Sequence, residues 1–225
     1  MSSPVLYGMP VSAGTRLAQW AASVANVNVE FKIVDLMKKD HMADDFVTLT
    51  RGRHCIPALT HGEFKMTESR AIAAYLLRLG KEEGQVKYIL DSRTQATVDE
   101  WVHYEATCMY KRVSAYAYYK LFGMGDSPGE TEAERLNKSM QYIECRLKEN
   151  CENCEQDKYL AGSVATLADL VVANCLSLLQ AVPREVVDMM NYPYTHEWLE
   201  RVAMMGNYES ILAPFKEFVQ IKMSD

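Results

Sequence analysis

No stretch of the 225 residues approaches the ~20 consecutive apolar residues of a membrane-spanning helix. The N-terminal MSSPVLYG has neither the basic nor the apolar region of a secretory signal. Basic clusters are missing as well. Lys and Arg number 24 against 30 Asp and Glu, a net charge of −6, which argues against nucleic acid or an anionic membrane surface as partner. The six cysteines, Cys55, Cys108, Cys145, Cys151, Cys154 and Cys175, form no disulfide framework, because four of them sit inside helical or strand patterns as small apolar residues. Cys151 and Cys154 have a C-x-x-C spacing but stand among Glu and Asn at a helix end with no second ligand pair nearby. They read as two exposed thiols. His41 and His54 lie in polar loops without Asp, His or Cys at ligand spacing, so no metal is expected. Internal repeats and low-complexity tracts are absent too. What these absences leave is a cytosolic globule whose 48% hydrophobic content can fill one large core or two small ones.

The chain is organised around residues 53 to 77, RHCIPALTHGEFKMTESRAIAAYLL. Ile56-Pro57 leads into two short apolar runs that meet at Gly62, and Thr67-Glu68-Ser69 opens an apolar-periodic helix. A proline at the head of a strand gives no ladder donor, so it belongs at an edge or bend, where the backbone of Ile56 stays available to a ligand. The helix N-terminus that follows offers unpaired N–H groups and a partial positive charge suited to a carboxylate. The stretch reads as a cradle for a small peptide.

Ahead of it, residues 4 to 8 form a strand candidate, 13 to 26 a helix with Ser12 at its mouth, 29 to 35 a second strand, and 41 to 49 a weaker, more polar helix. The order β-α-β-α-β-β-α over residues 1–80 is that of a compact α/β domain of thioredoxin type, its first two strands parallel. Residues 81–91 turn polar, as a linker does. Residues 92–225 then read as an all-α domain: a long aromatic helix over 93–122, a second over 130–151, a nearly all-apolar one within 160–179, one opening at Tyr192-Pro193, and a last piece from about Tyr208 to Phe218. Thr166 and Asp169 have the spacing of a capping box. A helix that is apolar all round belongs at a domain centre.

Several residues carry chemistry on one reading and structure on another. Ser12 is a plain N-cap, or a hydroxyl that donates to a bound thiolate beside the positive helix end and so lowers the thiol pKa. Glu68 and Ser69 are caps, or they hold the amino and carboxylate groups of a ligand. The 93–122 helix carries Tyr104, Tyr110, Tyr116, Tyr118, Tyr119 and Phe122, too many faces for one core. Tyr104 and Phe122 are expected in the core, and others around an apolar pocket with their hydroxyls at its rim.

CIPAL (55 to 59), TESRAIAAYL (67 to 76), LAGSVATLADL (160 to 170) and YPYTHEW (192 to 198) stand in the order and spacing of the cytosolic glutathione transferases, which the chain resembles over nearly its full length. PVSAGTR (10 to 16) looks like the serine-type classes theta, delta and phi, in which a serine at the position of Ser12 activates the thiol. Tyr7 is too far from Arg16 to match the tyrosine-type classes. The resemblance implies a cis Ile56-Pro57 peptide whose Ile56 backbone pairs with the cysteinyl unit of glutathione beside Cys55, and Glu68 and Ser69 on the γ-glutamyl end with Arg70 behind them. His41 and His54 match glycine-end ligands of different classes, and Glu105 a carboxylate near the γ-glutamyl group. Met9, Ala13, Tyr110, Val113 and Tyr118 should border the electrophile pocket. Met42 and Cys55 stand where phi or theta members are often basic, and the Leu49–Arg53 segment is one residue longer.

The resemblance implies a homodimeric, detoxifying transferase that joins glutathione, its co-substrate, to a small apolar electrophile. Glutathione-dependent peroxidase, dehalogenase or isomerase chemistry would use the same thiolate. A non-enzymatic binding or structural protein of the same fold is the reading from another class.

Overall fold

A computed structural model of the chain describes residues 2–80, 85–88, 90–154 and 158–224. Most of the expected linker's first half, 81–84, and residue 89 therefore lie outside the described residues. The chain divides into two compact units, one of residues 1–88 with 206–215, the other of 89–205 with 216–225. The first unit thus takes in ten residues from the expected all-α region.

The first unit contains β1 (Val5–Gly8), α1 (Ala13–Val24), β2 (Glu30–Ile33), α2 (Asp44–Leu49), β3 (Ala58–His61), β4 (Phe64–Thr67) and α3 (Ser69–Leu79). The strand order is β2-β1-β3-β4, with β1 and β2 parallel and the other pairs antiparallel. This is the thioredoxin-like arrangement that the element order predicts. The parallel pair needs a crossover, and α1 supplies it, burying Leu17, Trp20, Ala21 and Val24 along one face. The antiparallel pair β3–β4 is closed by Gly62 at φ 59°, where a side chain would be strained. Residues 40–42 form a 3-10 turn ahead of α2, so the polar helix starts three residues later than its pattern suggests.

The second unit is helical. Its elements are α4 (Ser92–Tyr104), α5 (Tyr110–Phe122), α6 (Glu130–Asn153), α7 (Leu167–Leu176), α8 (Pro193–Ala203) and the latter part of α9 (Tyr208–Ser224). Between α4 and α5 the five residues Glu105–Met109 are a π-helical turn, so the expected single helix over 93–122 carries one wide turn in its middle. Every residue of α7 is buried, as a helix apolar all round requires. Its start is closed by the capping box: Thr166 N–H and Oγ1 donate to Asp169 Oδ2 at 2.8 and 3.2 Å. Asp169 Oδ1 accepts from Leu160 N at 3.0 Å and from Trp198 Nε1 at 2.8 Å. One carboxylate therefore ties three segments of the second unit together.

The aromatic helix corrects one expectation. Tyr104 packs against Trp101 and Tyr142 and donates to Ser139 Oγ at 3.1 Å, but Phe122 is 46% exposed, stacked on Phe218. The core position belongs to Tyr116, 7% exposed, whose hydroxyl reaches the Gly129 carbonyl at 3.2 Å. The inward stripe is Met109, Val113, Tyr116, Ala117 and Leu121, a 3–4 residue spacing that turns Phe122 outward.

Candidate active site

Three segments of the first unit converge at Gly14. A Cβ there would stand 2.9 Å from Pro57 Cδ and 3.2 Å from Ser69 Cβ. The missing side chain lets the first turn of α1 lie against both the Ile56-Pro57 corner and the start of α3.

Ser12 is the N-cap of α1, with extended backbone at φ −75°, ψ 125°. Thr15 N–H donates to its Oγ across 3.4 Å, near the limit of a useful bond, and Ser12 N–H donates to the Met9 carbonyl at 2.9 Å. A hydroxyl that caps does so with a lone pair and keeps its own hydrogen for another acceptor. The loop before it is pinned by the buried Arg16, whose Nη1 donates to the Val11 carbonyl at 2.6 Å while the guanidinium lies 4.1 Å from the centre of the Phe215 ring. Tyr7 is engaged elsewhere: its ring packs edge-on to Phe46, and Lys32 lies 5.8 Å from its centre.

The Ile56-Pro57 peptide is cis. Pro57 is buried, while Ile56 and Cys55 are half-buried, and Ile56 packs with Tyr7 and Leu49 against Val34, Phe46 and Ala58. The β4–α3 junction follows in space, because Thr67 pairs with Ala58. Glu68 precedes α3 at φ 72°, ψ 106°, and its side chain caps no N–H of that helix. Instead Arg53 Nη2 lies 2.5 Å from Glu68 Oε1. Ser69 opens α3, and Arg70 is half-buried behind it. His54 is exposed at φ 50°, and His41 is half-buried in the 3-10 turn, its Nδ1 enclosed without a hydrogen-bond partner among the described residues.

Among the described residues, five non-glycine residues hold positive φ: Asn26, Lys39, Arg51, His54 and Glu68. All but Asn26 lie in or beside the segments carrying His41, His54 and Glu68. Residues in such conformations cost ~1–3 kcal/mol each and persist where the surroundings fix them, commonly at ligand sites.

The remaining expected residues fall out differently. Met9 is half-buried, but Ala13 and Val113 are 3% and 0% exposed and offer a ligand no side-chain surface. Val113 belongs to the core stripe of the second unit. Tyr110 and Tyr118 are half-buried on α5 with their hydroxyls hydrogen-bonded to each other. Glu105 is 2% exposed in the π turn, so its carboxylate has no open face for the expected ligand contact. Sequence reading missed Arg53. It stands beside His54 in the loop between α2 and β3, and its partner Glu68 lies in another loop. No group of three or more metal-ligating side chains occurs among the described residues, and no helix among them is long and apolar enough to cross a membrane.

Comparison with known proteins accounts for the arrangement. Residues 3–78 match the model of the glutathione S-transferase N-terminal domain, and residues 116–204 that of the C-terminal domain. Glutathione S-transferase D7 of Anopheles gambiae is 30% identical over 200 residues, 88% of this chain and 85% of its own. The D7 protein of Drosophila melanogaster is 25% identical over 221 residues, covering 96% and 92%. A delta-class glutathione transferase of Nilaparvata lugens superposes with a TM-score of 0.83 at 25% identity, covering 97% of this chain and 99% of that one. A Drosophila mojavensis homolog solved with bound glutathione shares the fold, with a TM-score of 0.84 at 24% identity over 100% and 98% of the two chains. With both domain models matched in order and a relative at 30% identity across most of its length, the chain belongs to the glutathione S-transferase family.

Proposed function

We propose that this glutathione transferase joins the thiolate of glutathione to small apolar electrophiles, with Ser12 as the catalytic residue. The observation that carries the reading is the Ser12 hydroxyl, which caps α1 only through a long 3.4 Å bond to its lone pair and retains its hydrogen. Donated to a bound sulfur, that hydrogen stabilises the charged form, and the N-terminus of α1 adds a fixed positive potential. A thiol near pKa ~8.5 is only a few per cent ionised at pH 7, and lowering it by ~2 units, or ~2.7 kcal/mol, makes thiolate the main species.

The peptide is held by the rest of the cradle. The Ile56 backbone, turned by the cis bond, meets the cysteinyl unit, Glu68 and Ser69 take the γ-glutamyl end, and His41 and His54 serve the glycine end. Catalysis comes from thiol ionisation and proximity, without a covalent enzyme intermediate. The working form is a cytoplasmic homodimer in detoxification, which size-exclusion chromatography with light scattering tests for assembly.

The chemical test is conjugation of a generic electrophile together with ultraviolet titration of the bound thiol. Ser12→Ala should raise the bound thiol pKa by about 2 units and lower turnover at pH 6.5 by about 10²-fold, the usual cost of one stabilising donor. Unchanged turnover in Ser12→Ala, or an unshifted thiol in the wild type, would sink the mechanism. Turnover with peroxides or haloacids and none with conjugation substrates would redirect the same thiolate to another reaction.

A further inference from the structure

The Arg53–Glu68 pair spans the two loops assigned to opposite ends of the peptide. Arg53 follows two left-handed residues, Arg51 at φ 54° and Gly52 at φ 80°, and precedes a third, His54 at φ 50°. Its guanidinium meets Glu68 although both side chains are more than half exposed, 54% and 57%. An ion pair so exposed returns little stability, less than the strained backbone on both sides of it costs. Nor does Glu68 serve α3, since its carboxylate caps no N–H there. The pair therefore holds two opposite charges at the surface of the cradle without a structural reason for either.

We propose that Arg53 is a transferable cation: in the free protein it neutralises Glu68, and when the α-ammonium of glutathione takes Glu68, Arg53 turns to the glycine-end carboxylate. The inference rests on the glutathione reading above and adds to it a specificity residue. The exchange leaves no charge unpaired at either stage. Before binding, Arg53 and Glu68 satisfy each other; afterwards each faces the ligand group of opposite sign. The side chain pivots on the loop that carries His54, on the glycine-end side of the cradle, where Met42 and Cys55 bring no cation. A guanidinium suits both positions, because its planar fork can present two N–H groups to either carboxylate. High exposure is what makes the swap possible, since an enclosed pair would not open for a ligand.

The consequence is a site that reads the two charged ends of the ligand with Glu68 and one movable cation. Isothermal titration calorimetry of the full chain with glutathione and with its glycine ethyl ester separates this from a structural role. Wild-type protein should bind glutathione about tenfold more tightly than the ester, the scale of one hydrogen bond to a charged group. Arg53→Gln should lose about tenfold for glutathione and less than about twofold for the ester, so that the two ligands become nearly equal. Arg53→Lys should restore part of the difference. Equal affinity of the two ligands in the wild type, an equal loss for both in Arg53→Gln, or an unchanged ratio would overturn the role of Arg53. Wild-type protein that binds neither ligand would instead overturn the glutathione reading on which it rests.

Discussion

At the start of α7, Asp169 is 0% exposed and accepts from four donors, whereas at the start of α3 Glu68 is exposed, caps nothing on its helix and pairs with an arginine from another loop. Both are acidic residues at helix N-termini, where negative charge is favoured. They differ in whether the protein completes its own hydrogen bonding. A helix end closed from within serves the fold. One left open, on strained backbone, is available to a ligand. The largest effect should come from breaking the closed end. Asp169→Ala leaves buried donors on Leu160, Thr166 and Trp198 without an acceptor and should cost about 3–5 kcal/mol. Urea unfolding of Asp169→Ala beside Glu68→Ala measures the contrast directly, and a loss of stability in Glu68→Ala as large as in Asp169→Ala would erase it. Burial pushes the Asp169 carboxyl up against the pull of its four donors, so acid does not unfold the protein by protonating this group.

The first unit has its own closed cluster behind the open site. Tyr208 is 8% exposed, its ring 4.2 Å from that of Trp20, and burial pushes its phenol up to about 12, with Arg16 pulling down and Glu209 pushing up. A folded value above the unfolded ~10 means the folded state prefers the neutral phenol. The stability it gives is whole below pH 10 and is lost as pH rises toward 12, in all about 2–3 kcal/mol. Unfolding free energies between pH 9 and 12 should fall along this window, and Tyr208→Phe should flatten that part of the slope. An identical slope in Tyr208→Phe would place the alkaline weakness elsewhere.

Local rules made the closed end legible in the sequence. Thr166 and Asp169 stand three apart before an apolar run, and that spacing predicts their bonds; Trp198, the donor from another helix, has no such signature. The order of strands and helices along the chain and the Ile56-Pro57 corner are legible for the same reason, since alternation and proline act on neighbouring residues. What stays hidden depends on groups distant in sequence. The Arg53–Glu68 pair joins residues brought together only when β3 and β4 form, and the π turn at Glu105–Met109 has no composition of its own. Phe122 and Val113 are misplaced because a turn of α5 decides which faces inward. Gly14 is the sharpest case, since its neighbours Pro57 and Ser69 lie more than forty residues on. Gly14→Ala should force the cis-proline corner or α3 to shift, costing about 1–2 kcal/mol and weakening glutathione binding in the same variant. Thermal unfolding and calorimetry on one sample check both, and loss of stability with intact binding would separate the contact from the site.

The smallest stability effect should fall on the residue with the largest part in the chemistry. An N-cap serine is ordinarily worth ~0.5–2 kcal/mol against alanine. Ser12 accepts from Thr15 at 3.4 Å, a poor bond, and the other contacts of the loop come from backbone and from Arg16. Ser12→Ala should therefore cost about 0.5 kcal/mol or less in urea unfolding, while the bound thiol loses its donor. A cost near 2 kcal/mol would make Ser12 a closed cap like Thr166, with its hydroxyl serving the helix. A cost near zero, with the thiol pKa raised, leaves the hydroxyl's hydrogen for the ligand and puts α1 with α3 among the helix ends that the protein leaves open.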